Sequence, residues 1–324
     1  MNFQAYKDHA RGILASERGA RLLRLDCMNP VKALAELRPS VPRDPRPSSL
    51  GQLEAAWRSR FGLESTSGRV VLSTGVRPLL GRLFGLFARD GRHLHAPEDV
   101  YPVYLESAAG VGLPVTTFPT VPAPLFPVAG SQKKPEVLLV PEPLMPLGRG
   151  LSAVEVAHLS SWLDADDRRL LVLDCVYTFD TQFTLAAETL LSGGRTILLH
   201  SLAKSFLHPD TAGFAIGPAA VLETLSHEID DHALAVGQYL LQHAPDVPSK
   251  LDQVFAERWR GVQAATGIPA PATGYFRVVP KSFDDLLARG QLAVPGSVFG
   301  AHDNQWCAVT CLLAEIGGRP SEAP

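Results

Sequence analysis

With 324 residues, 46% of them hydrophobic and 19% charged, the chain has the apolar surface for a large core and too few charges for a disordered one. A formal net charge of −3, with 30 basic residues scattered rather than clustered, gives no electrostatic case for nucleic acid or an acidic membrane surface. No apolar run approaches the roughly 18 residues a bilayer span requires. The four cysteines (Cys27, Cys175, Cys307, Cys311) have neither zinc nor redox spacing. A soluble, cytoplasmic protein with reduced thiols is expected.

A first helix is predicted over residues 5 to about 25. The proline- and arginine-rich segment 39–49 cannot hold a regular element, because each proline removes a backbone donor and fixes φ. Leu53, Ala56, Trp57 and Phe61 then share one face of a second helix. From Arg69 onward short apolar runs (70–72, 93–95, 115–118, 137–140, 170–173, 197–199, and 214–216 as one more) alternate with helical patterns over 76–88, 104–109, 152–163 and 186–191. Such alternation implies crossover connections and a mostly parallel sheet covered on both faces, an α/β fold in three layers. Ligands of such sheets bind beyond the carboxyl ends of the strands. After Pro218, helices are predicted over 221 to about 243 and 250–265, a strand over 274–279, a helix over 283–289 and an apolar segment over 308–313. That tail has the pattern of a small α+β unit. The expected division is an N-terminal helix and arm (1–48), a large domain (49–218) and a small C-terminal domain (219–324).

Two strand ends carry the chemistry. Leu170-Leu171-Val172-Leu173 runs into Asp174-Cys175-Val176-Tyr177, and Thr196-Ile197-Leu198-Leu199-His200 runs into Ser201-Leu202-Ala203-Lys204. A lysine after one buried strand and Asp-x-x-Tyr after the preceding one is what a pyridoxal phosphate site requires. The lysine holds the cofactor as an imine. The aspartate keeps the ring nitrogen protonated, so that the ring can act as an electron sink, and the tyrosine steadies the ring hydroxyl. Taken singly, Lys204 reads as a surface lysine and Asp174 as a helix cap. Four apolar residues before Asp174 argue for burial, and a buried carboxylate needs a partner.

Read in order, these landmarks resemble the pyridoxal phosphate-dependent aminotransferases of class I/II, including the shorter members related to histidinol-phosphate aminotransferase, from about Leu25 to Leu313. Ser73-Thr74-Gly75-Val76 is similar to the family's turn into the helix whose N–H groups hold the cofactor phosphate, a task suited to a helix N-terminus. Tyr101-Pro102-Val103-Tyr104 resembles the segment whose aromatic, here Tyr101, stacks on the ring. Pro146-Leu147-Gly148 resembles the end of the Asn-Pro-Thr-Gly loop. Pro295-Gly296-Ser297-Val298-Phe299-Gly300 resembles the small-domain loop that closes over substrate. The resemblance implies Lys204 as imine-forming and proton-moving residue, Asp174 on the ring nitrogen, Tyr177 on the ring hydroxyl, and Ser73, Thr74, Gly75, Val76 and Ser201 around the phosphate. It also implies a homodimer with sites near the interface.

Three departures accompany the resemblance. The asparagine that contacts the ring hydroxyl falls on Met145, the phosphate arginine eight positions after the lysine falls on Ala212, and the arginine that grips the substrate carboxylate falls on or beside Cys307. Losing a charged partner from a desolvated site costs about 2–5 kcal/mol. Arg77, just inside the phosphate helix, is a candidate substitute, with a surface role as the alternative. His200 and His208 flank the lysine, and the alternatives for each are contact with phosphate or substrate and, as the preferred reading, a satisfied loop histidine. Ser201-x-x-Lys204 also meets the Ser-x-x-Lys pattern of serine β-lactamases, but its companion motifs are absent. The histidines of 227–232 are five apart, off the one-face spacing of a zinc helix, and read as a solvated helix face.

The expected function is therefore an aminotransferase-like enzyme acting on an amine or unusual amino acid, with a specialised biosynthetic pathway as its setting. A decarboxylase, lyase or cyclase on the same fold, and a degenerate non-catalytic binding protein, are the alternatives. No metal is expected.

Overall fold

The computed structural model describes residues 2–17, 19–100, 102–128, 134–180, 182–301 and 305–313. The N-terminal part runs through α1 (Phe3–Leu14), β1 (Leu23–Arg24), α2 (Pro30–Ala33) and α3 (Leu50–Arg60). The alternating region follows: β2 (Arg69–Ser73), α4 (Val76–Arg89), β3 (His93–Pro97), α5 (Val103–Gly110), β4 (Val115–Phe118), β5 (Glu136–Pro141), α6 (Ala153–Asp164), β6 (Leu170–Asp174), α7 (Leu185–Ser192), β7 (Thr196–Ser201), α8 (Leu202–Ser205) and β8 (Gly213–Gly217). The remainder holds α9 (Ala219–Leu222), α10 (Asp231–His243), α11 (Val247–Thr266), β9 (Phe276–Val279), α12 (Phe283–Ala288), β10 (Gln291–Leu292), β11 (Val294–Pro295) and β12 (Cys307–Thr310).

Seven strands make one sheet in the order β2-β8-β7-β6-β5-β3-β4. All neighbours are parallel except β8, which runs antiparallel to both β2 and β7. Strands covered on both faces need apolar side chains on both, and β5 and β6 are buried throughout. Alternation sorts the side chains: Leu138, Val140, Leu171, Leu173 and Leu198 join Trp57 and Phe214 in one core, whereas Val137, Val172, Ile197 and Leu199 join Leu79, Leu83 and Phe87 of α4 in the other. The mixed α/β architecture and mostly parallel sheet agree with the alternation of the sequence.

Two predicted helices are corrected. The first ends at Leu14, and the chain turns at Gly19, where a Cβ would lie 2.3 Å from the Leu14 carbonyl oxygen. Residues 23–24 form β1, parallel to β10, with Leu23 and Leu25 N–H donating to the Gly290 and Leu292 carbonyls at 2.8 Å. Strand pairing supplied by distant residues here overrides local helix propensity. The second prediction, over 221–243, splits into α9 and α10. Between them the chain docks on the free edge of β2: Glu228 N–H donates to the Leu72 carbonyl, Thr74 N–H to the Glu228 carbonyl, and Leu72 N–H to His227 Nδ1. The 227–232 segment is thus an edge cover and the cap of α10, with Asp230 accepting from Ala233 N–H at 2.7 Å, and not a solvated helix face. It satisfies an edge strand that would otherwise stand open.

Besides the β1-β10 pair there is a three-stranded sheet, β11-β12-β9, antiparallel throughout. It holds the N-terminal segment: Thr310 N–H donates to the Leu25 carbonyl (2.9 Å) and Thr310 Oγ1 to that of Cys27 (2.8 Å). Helix α1 packs Tyr6 and Ala10 against Val294, Val298 and Trp306. Among the described residues no helix is long and apolar enough to cross a membrane, and no group of metal-ligating side chains is present.

Candidate functional site

The register of three strands places the two serines. Ser73 of β2 and Ser201 of β7 both sit opposite Gly213 of β8. By strand alternation Ser73, Ser201 and Asp174 share the α4 face of the sheet with Val71, Leu199 and Val172. A Cβ on Gly213 would lie 2.4 Å from the Gly75 carbonyl carbon and 2.7 Å from Val76 N, so only glycine lets the turn rest on β8. Gly75 itself has φ +84°, a backbone region that disfavours side chains.

That turn starts α4, and its donors divide. Thr74 N–H goes to the Glu228 carbonyl, Gly75 N–H to that of Ser73, and Thr74 Oγ1 donates to Asp230 Oδ2 at 3.1 Å. The inward-facing group is Ser73 Oγ, fully buried and without a hydrogen-bond partner among the described residues. Val76 N–H stands in the first helical turn, where no intrahelical carbonyl is available. Pro78 brings no further N–H that would need one.

Asp174 is 6% exposed at the end of β6. Tyr104 of α5 donates its hydroxyl to Oδ2 at 2.7 Å, and Val176 N–H donates to Oδ1 at 3.2 Å. Burial raises the Asp174 pKa above the ordinary carboxylate value, against the lowering effect of these two donors. Burial also raises the Tyr104 hydroxyl well above its ordinary value, with the neighbouring carboxylate adding to it. Tyr104 is a site residue that the sequence reading did not single out. Its signal was present, since it closes the quoted Tyr-Pro-Val-Tyr segment. Tyr101 lies outside the described residues.

Lys204 lies in the single turn of α8, which Ser201 Oγ caps by accepting from Ala203 N–H at 3.2 Å. Its Nζ donates to Asn29 Oδ1 at 3.4 Å and stands 6.0 Å from the centroid of the Tyr177 ring. Burial lowers the Lys204 pKa, and the charge of Arg77 lowers it further. Tyr177 thereby stands beside Lys204, whereas Arg77 acts on it through its charge alone from an exposed position at the start of α4. Tyr177 in turn meets Tyr275 (centroids 6.1 Å) and Phe276 (5.7 Å), and its hydroxyl is hydrogen-bonded to that of Tyr275.

The other landmarks fall around this centre. Gly148 has φ +73° and packs so closely on β9 that a Cβ would lie 2.0 Å from the Phe276 carbonyl oxygen. Gly300, with φ +98°, rests on the Glu98 carbonyl oxygen, 2.4 Å from where its Cβ would be. The 295–300 loop thus touches the turn that leads to residue 101. Met145 is half-buried against the core, Ala212 is fully buried, and Cys307 is buried in β12 opposite Val279. Neither flanking histidine is a satisfied loop residue: His200 is a strand residue on the other face of β7, and its Nε2, like His208 Nδ1, is buried without a partner among the described residues. His200 Nδ1 accepts from Trp57 Nε1 (3.1 Å) amid Phe61, Phe183 and Phe214, and burial alone lowers the His200 pKa to about 3.

No protein-family model matches the chain. The histidinol-phosphate aminotransferase of Paramagnetospirillum magneticum is 28% identical over 183 residues, 54% of this chain and 49% of that protein. The chain thus spans about half the length of the curated relatives it matches. Among solved structures, a double mutant of Thermus thermophilus aspartate aminotransferase superimposes with a TM-score of 0.73 at 19% identity, covering 95% of this chain and 91% of that one. YbdL of Escherichia coli, described with a methionine aminotransferase function, gives 0.71 at 14% identity over 96% and 93%. With strand order, strand-end residues and whole-chain superposition in agreement, the chain has the fold of the pyridoxal phosphate-dependent aminotransferases of class I/II.

Proposed function

We propose that this chain is an aminotransferase-type enzyme that uses pyridoxal phosphate and acts on an amine or an amino acid whose carboxylate it does not grip with an arginine. The observation that carries the reading is the placement of Asp174, Ser201 and Ser73 on one face at adjoining strand ends, with the Lys204 amine one helical turn beyond Ser201. The residues fit the cofactor. A phosphate would find the Ser73 hydroxyl, the first-turn N–H of Val76 and the Ser201 hydroxyl, and a protonated ring nitrogen would find a buried carboxylate. When bound, the cofactor supplies an electron sink for the carbon next to the substrate nitrogen.

The chain's own residues would do the rest. Asp174, steadied by Tyr104, favours a cation at its oxygens, because a positive charge offsets its desolvation. The Lys204 amine, its pKa lowered by burial and Arg77, is shifted toward the neutral form that attacks a carbonyl and takes a proton from carbon. Tyr177 presents its ring beside that amine. The substrate side carries the departure. Cys307 is sealed in β12, so a carboxylate there would meet no arginine of the 301–318 segment. This favours substrates held by shape or by other groups. It also keeps decarboxylation, elimination or cyclisation as a second outcome for the same site. A homodimer, a cytoplasmic setting and a specialised biosynthetic role complete the reading, on the strength of the resemblance.

The test is optical. Purified chain given pyridoxal phosphate should gain a visible absorption band that Lys204→Ala lacks while keeping its circular dichroism. Amino donors should then bleach the band and release a keto or aldehyde product. Absence of any band in the unaltered chain would sink the proposal, and carbon dioxide or ammonia release without cofactor amination would favour the second outcome.

A further inference from the structure

Lys204 and the N-terminal segment meet through one side chain. Asn29 Oδ1 accepts from Lys204 Nζ at 3.4 Å and from Val31 N–H at 3.2 Å, the latter capping α2. The segment that carries Asn29 is bonded throughout to the C-terminal part of the chain. Leu25 N–H donates to the Leu292 carbonyl, Thr310 donates through N–H and Oγ1 to the Leu25 and Cys27 carbonyls, and the Tyr275 hydroxyl donates to the Met28 carbonyl at 3.2 Å. Lys204, by contrast, lies in α8, directly after β7 of the seven-stranded sheet. Asn29 thus links the amine to an N-terminal segment that the C-terminal part of the molecule holds in place.

We infer that Asn29 is a positioning residue for Lys204: its side-chain oxygen orients the amine and favours the protonated form. An amide oxygen can only accept, and a hydrogen bond from a charged ammonium is stronger than one from a neutral amine. Among the described residues, the charge of the exposed Arg77 on α4 disfavours the ammonium, and the face of the Tyr177 ring, 6.0 Å away, tolerates it. Asn29 offsets part of the burial and of the Arg77 repulsion, so that proton affinity at Nζ depends on how the N-terminal segment is seated. The inference rests on the reading of Lys204 as the reactive amine.

Two substitutions that keep the cap of α2 test it, since Asp and Ser both accept from a helix N-terminus. The readout is the pH dependence of Lys204 acetylation by acetic anhydride, followed by peptide mass spectrometry on the full chain without pyridoxal phosphate. Asn29→Asp places a carboxylate beside Nζ and should raise the Lys204 pKa by about one unit or more, slowing acetylation at least about tenfold below that pKa. Asn29→Ser is too short to reach and should shift the profile the other way, with severalfold faster acetylation. If Asn29 serves only as a cap, both profiles overlay that of the unaltered chain, and the inference is overturned. Should the serine variant fold poorly, Asn29→Gly, which a helix N-cap also tolerates and which likewise removes the acceptor, takes its place. A separate addition of pyridoxal phosphate to the unaltered chain reports on the functional reading. A missing visible band there, with the acetylation shifts intact, would discard the cofactor assignment and keep the Asn29–Lys204 coupling.

Discussion

The Tyr104 hydroxyl lies 2.7 Å from Asp174 Oδ2, joining a helix and a strand 70 residues apart at the most buried carboxylate of the candidate site. Tyr104→Phe removes the donor and little else. A hydrogen bond to a charged group contributes about 1.5–3 kcal/mol, so pyridoxal phosphate affinity should fall roughly tenfold or more. Titration of the visible band measures it. An unchanged dissociation constant would show that the bond serves the fold alone.

Ser73→Ala separates stability from function. A buried hydroxyl without a partner is a cost of about 1–3 kcal/mol to the fold, and among the described residues Ser73 Oγ has none. The alanine variant should therefore unfold at the same temperature as the unaltered chain or higher, yet bind pyridoxal phosphate more weakly. Thermal unfolding with and without cofactor reads both effects. A variant that loses stability without cofactor would argue for a structural role.

Two glycines, one packed under the Gly75 turn and one far along the helix it starts, should respond in opposite ways. Gly213→Ala forces a Cβ against the Gly75 backbone at 2.4 Å, where no side chain can move aside, and should cost about 1–3 kcal/mol together with cofactor affinity. Gly85→Ala, in the interior of α4 with nothing within 4 Å of the added atom, should stabilise by about 0.5–1 kcal/mol. Denaturant midpoints decide both.

Acid should unfold this chain partly through His200. Its folded pKa is about 3 against an ordinary 6.5, lowered by burial. Between those values the unfolded state holds the proton and the folded state does not. The stability contributed is full above about pH 6.5 and is lost as pH falls toward 3, by up to a few kcal/mol. His200→Gln keeps an acceptor for the Trp57 N–H and cannot take the proton. Its thermal midpoint should fall less steeply between pH 6 and 4, and an identical slope would remove His200 from the account.

The alternation of apolar runs with helical patterns, the burial of β5 and β6, and the position of Asp174 and Lys204 after consecutive strands were all legible in the residues. Each depends on periodicity within about ten positions, which a chain displays without reference to its fold. The same reading failed at residues 15–25 and 223–230. There the backbone takes its partners from β10 and β2, and distant pairing outweighed local preference.

Within the candidate site the division is similar. The placing of Lys204, Asp174 and Tyr177 after consecutive strands follows from their order along the chain. Tyr104 against Asp174, Asn29 against Lys204, the turn of Thr74 toward Asp230, and the row of Ser73, Gly213 and Ser201 do not. Those contacts join segments separated by 12 to 175 positions. The row of Ser73, Gly213 and Ser201 exists because strand register and the glycine contact at Gly213 bring those strand ends together, whereas Asn29 arrives through pairing with β10 and β12 and Tyr104 through the packing of α5; none of these is a property that a single segment carries.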